Sequence, residues 1–452
     1  MKLSPTLASL ADDLANRRTT SQQLVEACLE RISDPKGEGS RVMIAFDREA
    51  ALASAAAMDQ LRRSGAAPSA YAGIPISIKD LFDIEGQTTT AGSKVLANAP
   101  PASADATIVA RLKQAGFVLI GRTNMSEFAY SGLGFNPHYD TPRNPWDRTT
   151  GRVPGGSSSG AAISVTDGMA HAAIGTDTGG SCRIPAAFTG LVGFKPTAAR
   201  IPLNGCLPLA TSLDSIGPIA RSVACCEALD ALLSGAPLAR RSIPAMNRLR
   251  FAIPRNVAFD NIDSEVASAF EGAISRLSDR GAQIDRIAVP EFDRVADINA
   301  KGGFPAAESY AWHRELIEKA PAQYDPRVLV RIQRGANQTA ADYIELVERR
   351  RALITDATRR FEPYDAVLMP TVAILPPTLE ELADDSEFGR LNLLSLRNCT
   401  LINMIDGCAI SLPIARGNNA APVGLMLAKE HGQDATLFAV AAAVERVVSD
   451  EG

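Results

Sequence analysis

Short apolar runs separated by helical patterns recur along this chain, and that alternation constrains its fold more than any other feature. GIPISIKD, FVLIGRTN, HAAIGTD, LVGFKPT, LRFAIP, AQIDRIAV, DAVLMPT, CAISLP and VGLMLA each hold a brief apolar stretch bounded by polar or turn residues. Runs of this length without a solvent-facing alternation are what a strand buried on both faces requires. Between them lie helical stretches: an alanine-rich one from about Asp47 to Arg63 that stops at Ser64-Gly65, and one after Asp105 that stops at Gly116. Strands alternating with helices predict an α/β architecture, a sheet with helices on both faces. The N-terminus reads as two short amphipathic helices, with Thr20-Ser21 as the N-cap of the second. Residues 262–360 read as mostly helical with charged faces (SEVASAFEGAISRL, AADYIELVERRRALITDATRRF). The expected organisation is therefore one domain over 1–452. It comprises N-terminal helices (1–65), a core (66–230), a substrate-side helical insertion (262–360) and a C-terminal part of the core (361–452).

Composition removes several function classes. At 452 residues the chain can bury a large core without disulfides or structural metal. Its 46 Lys and Arg against 51 Asp and Glu give a net charge of −5 with no block of like charges, so no nucleic-acid contact is expected. Seven cysteines without a C-x-x-C pair predict reduced thiols and a cytoplasmic location. No segment approaches 18 apolar residues, so no membrane span is expected. The four histidines show no metal spacing, and none is expected to hold a metal.

Three features carry chemistry. Only nine residues are lysine against 37 arginine, yet Lys79 ends the apolar run GIPISIK. It is either a strand-end lysine that reaches water or a desolvated amine lowered enough to act as a base. The run Gly155–Gly160 (GGSSSG) precedes an alanine-rich helix and can be a capping turn. It lacks the lysine of a phosphate loop. It matches a nucleophile elbow, with Ser158 central, only formally, because no strand leads into it. One of its serines can instead supply a relay hydroxyl on glycine-permitted backbone. The third feature, GTDTGGSCRIP (175–185), leaves an apolar strand and reaches Ser181 through two glycines. A tight turn is one reading. The other is an anion-binding nest beside a serine nucleophile, the arrangement acyl transfer needs. Cys182, next door, has no evident histidine partner.

Together these segments resemble the amidase signature family, through GIPISIKD and TTAGS, ATIVARLKQAGFVLIGRTNMSEFA, NPWD, PGGSSSG, GTDTGGSCRIPAAFTGLVGFKPT and PLATSLDSIGPIARSV, then YDAVLMPT, NMIDGCAISLP and PVGLMLA. The resemblance implies a mixed central sheet and a Ser–cis-Ser–Lys triad. Ser181 would be the nucleophile, Ser157 the bridging serine after a cis peptide from Gly156, and Lys79 the base. It further implies an oxyanion hole from the N–H groups of Thr178, Gly179 and Gly180, with Ser158, Asp177 and Arg183 supporting the loop. No cofactor is implied, and the partner is a small-molecule amide; a homodimer is the family-level expectation. The implied activity is hydrolysis of an amide or ureido C–N bond through an acyl-Ser181. The alternative is the glutaminase subunit of a tRNA-dependent amidotransferase, and a third is non-catalytic binding in the same cleft. Substrate contacts are expected from Phe304, Trp312 and Tyr324, from loops near Thr371 to Leu375 and Met404, and from Arg327, Arg331 and Arg334 as carboxylate receivers, unless these arginines merely line a solvated helix.

Overall fold

The computed structural model describes residues 5–238, 242–414 and 420–449. Eleven strands form one sheet: β1 (Met43–Ala45), β2 (Pro75–Lys79), β3 (Val118–Thr123), β4 (Ala172–Thr176), β5 (Val192–Lys195), β6 (Ile216–Ala220), β7 (Arg250–Pro254), β8 (Gln283–Ile287), β9 (Ala366–Pro370), β10 (Cys408–Pro413) and β11 (Gly424–Lys429). Their order across the sheet is β1-β3-β2-β4-β6-β5-β10-β11-β9-β7-β8. The sheet is mixed. β2 runs parallel to β3 and β4, and β7 parallel to β8 and β9, while β4–β6, β6–β5, β5–β10, β10–β11 and β11–β9 are antiparallel.

Side chains that alternate along a central strand enter two different apolar layers. Ile76, Ile78, Ile174, Leu368, Ile410 and Leu425 pack into one. Ala252, Val367, Met369, Ala409 and Met426 pack into the other. Both faces are thus covered by helices, which is why these strands read as unbroken apolar runs. At one edge, β8 is largely open to solvent and carries Asp285 and Arg286, charges that discourage further strand addition.

All nine strand-like runs are strands. Two further strands escaped the pattern. β1 is only three residues long. β6 contains Gly217-Pro218, which disguises it; β5 pairs only with Ile219 and Ala220, so the proline sits past the end of that ladder. The two N-terminal helices are Leu7–Ala15 and Ser21–Ser33, the second closed by a capping box between Thr20 and Gln23. Residues 264–361 are mostly helical, as expected, in Ser264–Asp279, Pro290–Ile298, Gly303–Lys319, Pro326–Gln333 and Ala340–Phe361. None of the described helices is long and apolar enough to cross a membrane.

What matters for the site is that β2 and β4 are parallel neighbours, with Ile78 opposite Ile174. Their C-terminal ends therefore deliver Lys79 and Thr176 side by side, where open α/β sheets present their reactive groups.

Candidate active site

Lys79 is fully buried at the end of β2. Its Nζ lies 2.7 Å from Ser157 Oγ and 2.8 Å from Thr176 Oγ1. No carboxylate pairs with it among the described residues, and burial pushes its pKa down to about 8. A neutral amine has two N–H groups and one lone pair, so it can donate to Thr176 while accepting from Ser157. The geometry is that of a base waiting on a serine.

Ser157 follows Gly156 through a cis peptide bond. Gly156 N–H donates to Gly132 O at 2.8 Å, and the Ser157 carbonyl accepts from Ser126 N–H at 3.1 Å. A Cβ on Gly156 would stand 2.5 Å from Gly134 N, so only glycine fits this approach. Ser158 donates its N–H to the Ser181 carbonyl at 3.3 Å and its hydroxyl to Thr176 O at 3.4 Å. The two serine-bearing loops are thereby tied to each other. Ser158 then opens the helix Ser159–Thr166, so it braces the loops and is not an elbow nucleophile.

The turn after β4 is organised by Asp177, which is completely buried. Its carboxylate accepts from Gly180 N–H at 2.8 Å, from Cys182 N–H at 3.2 Å, and from Arg183 Nε and Nη2 at 3.0 and 2.8 Å. The adjacent Arg183 guanidinium holds this carboxyl well below the usual range. Arg183, equally buried, also donates to Asn403 Oδ1 at 2.6 Å and to the Cys399 carbonyl. Such a paired, fully hydrogen-bonded charge fixes geometry in a way an apolar core does not. Gly180 takes φ +126°, and a Cβ there would meet Cys399 Cβ at 2.6 Å.

One implied donor changes place. Gly180 N–H is turned to Asp177. Among the described residues, the N–H groups of this turn with no protein acceptor are those of Thr178, Gly179 and Ser181. Ser181 is 3% exposed, and its hydroxyl has no hydrogen-bond partner among the described residues. A hydroxyl beside free N–H donors is the layout for attack on a carbonyl. Cys182 is not a rival nucleophile: burial pushes its thiol up, and Sγ is turned to Gly217 O at 3.4 Å. All seven cysteines are free thiols.

The residues expected to contact substrate divide. Tyr324 is buried and hydrogen-bonded to His313 Nδ1 at 3.0 Å, and its ring, like those of His313 and Trp312, packs around Phe128. Trp312 is 38% exposed. Phe128 lies two residues beyond Ser126, the residue that holds the Ser157 carbonyl. Arg331 is half-buried, donates to the Tyr130 carbonyl and lies over the Phe388 ring. Among the described residues no carboxylate pairs with it. Arg327, by contrast, is committed to Asp385 at 2.7 Å, and Arg334 is exposed. Phe304 is buried against Tyr343 and beneath Arg350, in the second apolar layer. Among the described residues no cluster of His, Cys, Asp or Glu is arranged to hold a metal ion.

Sequence reasoning missed Thr176, Asp214 and one face of the helix Asp385–Met404. On that helix Asn392 accepts from Ser131 Oγ and Gly132 N–H at 3.0 and 2.9 Å, while Asn403 binds Asp177 and Arg183. Leu396 and Thr400 sit against Gly179 between them. The signal was present as a helical spacing of 392, 396, 400 and 403, with polar ends where an apolar stripe belongs.

A family model described as Amidase matches residues 23–438. The chain is 35% identical to a 2-amino-5-chloromuconic acid deaminase of Comamonas testosteroni, over 98% of this chain and 96% of the relative. It is 34% identical to the A subunit of the glutamyl-tRNA(Gln) amidotransferase of Chloroflexus aggregans, again over 98% and 96%. A crystal structure of an amidase superposes with a TM-score of 0.89 at 30% identity, covering 98% of this chain and all of that one.

Proposed function

The chain belongs to the amidase family, whose members hydrolyse amide C–N bonds, and on that basis we propose that it does so alone, on a carboxylate-bearing substrate, through an acyl-Ser181. The observation that carries the chemistry is the 2.7 Å contact between a buried Lys79 and Ser157, in a loop tied to that of Ser181. Neutral Lys79 takes the Ser157 proton as Ser157 takes that of Ser181. The Ser181 oxygen then bonds to the amide carbon, and the carbonyl oxygen becomes an oxyanion facing the Thr178 and Gly179 N–H groups. Each such donor is worth about 2.7–4 kcal/mol elsewhere. The proton returns along the relay to the leaving nitrogen, the C–N bond breaks, and ammonia or an amine departs. Water repeats the sequence on the ester, releasing the acid and restoring Ser181.

Arg331 supports the substrate class. A half-buried guanidinium without an acidic partner is suited to a carboxylate, and the relative named above is a deaminase of an acid. The similarity to an amidotransferase component supports a second reading, glutaminase action within a larger complex. Ammonia release by the purified chain, measured over a panel of amides that includes glutamine and paired acid and ester forms, separates the two. Turnover of a non-glutamine acid amide that disappears in Ser181→Ala is the expected result. Release from glutamine alone, or silence without added partner proteins, selects the second reading.

A further inference from the structure

We propose that Asp214 is the positioning residue of the oxyanion turn, holding the Thr178 and Gly179 N–H groups on the reacting carbonyl through the Thr178 hydroxyl. The inference rests on the Ser181 reading above and adds to it a residue outside the triad.

Asp214 lies in the loop before β6 and is 5% exposed. One carboxylate oxygen accepts the Thr178 hydroxyl. The other accepts the N–H groups of Leu209 and Ala210 at 3.0 and 3.1 Å. No cation pairs with it among the described residues, so its partners are three neutral donors. Ser215, the next residue, fixes the turn one position earlier: Asp177 N–H donates to Ser215 O at 2.7 Å, and Ser215 Oγ donates to Asp177 O at 2.8 Å. The Gly180 N–H is held by the Asp177 carboxylate. Between these two anchors lie the peptide groups of Thr178 and Gly179, whose N–H groups have no protein acceptor among the described residues. Gly179 has no side chain. The Thr178 hydroxyl is therefore the one side-chain hook on this pair, and Asp214 is what it hooks onto.

The same loop is gripped from the helices that follow β8. Glu308, on the helix Gly303–Lys319, accepts from Thr211 Oγ1 and Ser212 N–H at 2.9 and 3.0 Å. Arg350, on the helix Ala340–Phe361, donates to Ser212 O at 3.0 Å. The helical segment that carries the candidate substrate arginines and aromatics is thus joined to the oxyanion turn by a short loop with Asp214 at its end.

The test compares Thr178→Val, which keeps shape and removes the hydroxyl, with Thr178→Ser, which keeps the hydroxyl, and with Asp214→Ala, which removes the acceptor that the hydroxyl reaches. Rates are normalised to active sites titrated to completion with a fluorophosphonate serine probe, and thermal midpoints are recorded. Expected are a loss of about 10- to 100-fold in kcat for Thr178→Val and Asp214→Ala, KM within about twofold, and near wild-type kcat for Thr178→Ser. Wild-type kcat per titrated site in Thr178→Val overturns the proposal, as does a loss equally large in Thr178→Ser. Should Asp214→Ala not fold, the two Thr178 variants decide the matter alone. Failure of the probe to label Ser181 in the wild-type protein instead overturns the underlying Ser181 reading, whatever the Thr178 variants do.

Discussion

The turn Thr176–Arg183 and the helix Pro326–Gln333 both carry polar residues proposed for the site, but they are held in different ways. In the turn, nearly every residue is buried; Asp177, Arg183 and Asn403 satisfy one another and the backbone, and Asp214 holds the Thr178 hydroxyl. On the helix, Arg331 relies on the Tyr130 carbonyl and on the ring faces of Tyr130 and Phe388, and Arg327 on the exposed Asp385 carboxylate, the Ala383 carbonyl and the Phe388 ring. Groups that must sit within a fraction of an ångström of reacting atoms are over-determined, and groups that recognise a substrate keep some freedom. The turn should therefore tolerate little substitution, and the helix more.

Substitutions on the two sides should rank accordingly. Ser181→Ala and Lys79→Met are expected to lower kcat by about 10⁴-fold or more, read by single-turnover kinetics. Lys79→Met should do so without lowering the thermal midpoint at neutral pH, because it removes an amine that burial already disfavours. A lowered midpoint would mean that Lys79 stabilises the fold. Arg183→Met leaves the Asp177 carboxylate buried without its cation, at a cost of about 3–5 kcal/mol; denaturant melts should show that loss together with loss of turnover. Arg331→Met is the opposite case, with KM for a carboxylate substrate raised about 10- to 100-fold, kcat nearly unchanged and the ester form unaffected. An unchanged KM removes Arg331 from recognition. Titration gives a further discriminator. The base must be neutral, so kcat/KM should climb with pH and level off above about 8, and this limb should vanish from what remains of Lys79→Met. Smallest of all, Arg327→Met should change stability by no more than about 0.5 kcal/mol and leave KM alone.

The same contrast explains what the amino-acid sequence revealed. Eight strands were legible because they are largely buried, which leaves a dense apolar run, and the edge strand β8 was legible despite its exposure; β1 and β6 were not, one being too short and the other carrying Gly217-Pro218. Lys79, Ser157 and Ser181 were legible as a constellation of short motifs, each ambiguous on its own. Thr176, Asp214, Asn392 and Asn403 were not, since their meaning arises only when strand ends and a distant helix converge. Asn403 lies 226 positions from the Asp177 it binds. The arginines proposed for substrate read alike in sequence. What distinguishes Arg331 from Arg327 is the place of Asp385, which only the fold supplies.

The helix Asp385–Met404 grips the loop of Gly132 with Asn392 and the loop of Asp177 with Asn403. The two asparagines are 11 positions apart, close to three full turns and about 16.5 Å of rise. The helix therefore behaves as a gauge block between the halves of the site. Its length there is quantised: removing one residue would swing one asparagine about 100° out of phase with the other. Side chains on its outer face, such as the exposed Leu393, are free to vary, while the count of residues between the two grips is not.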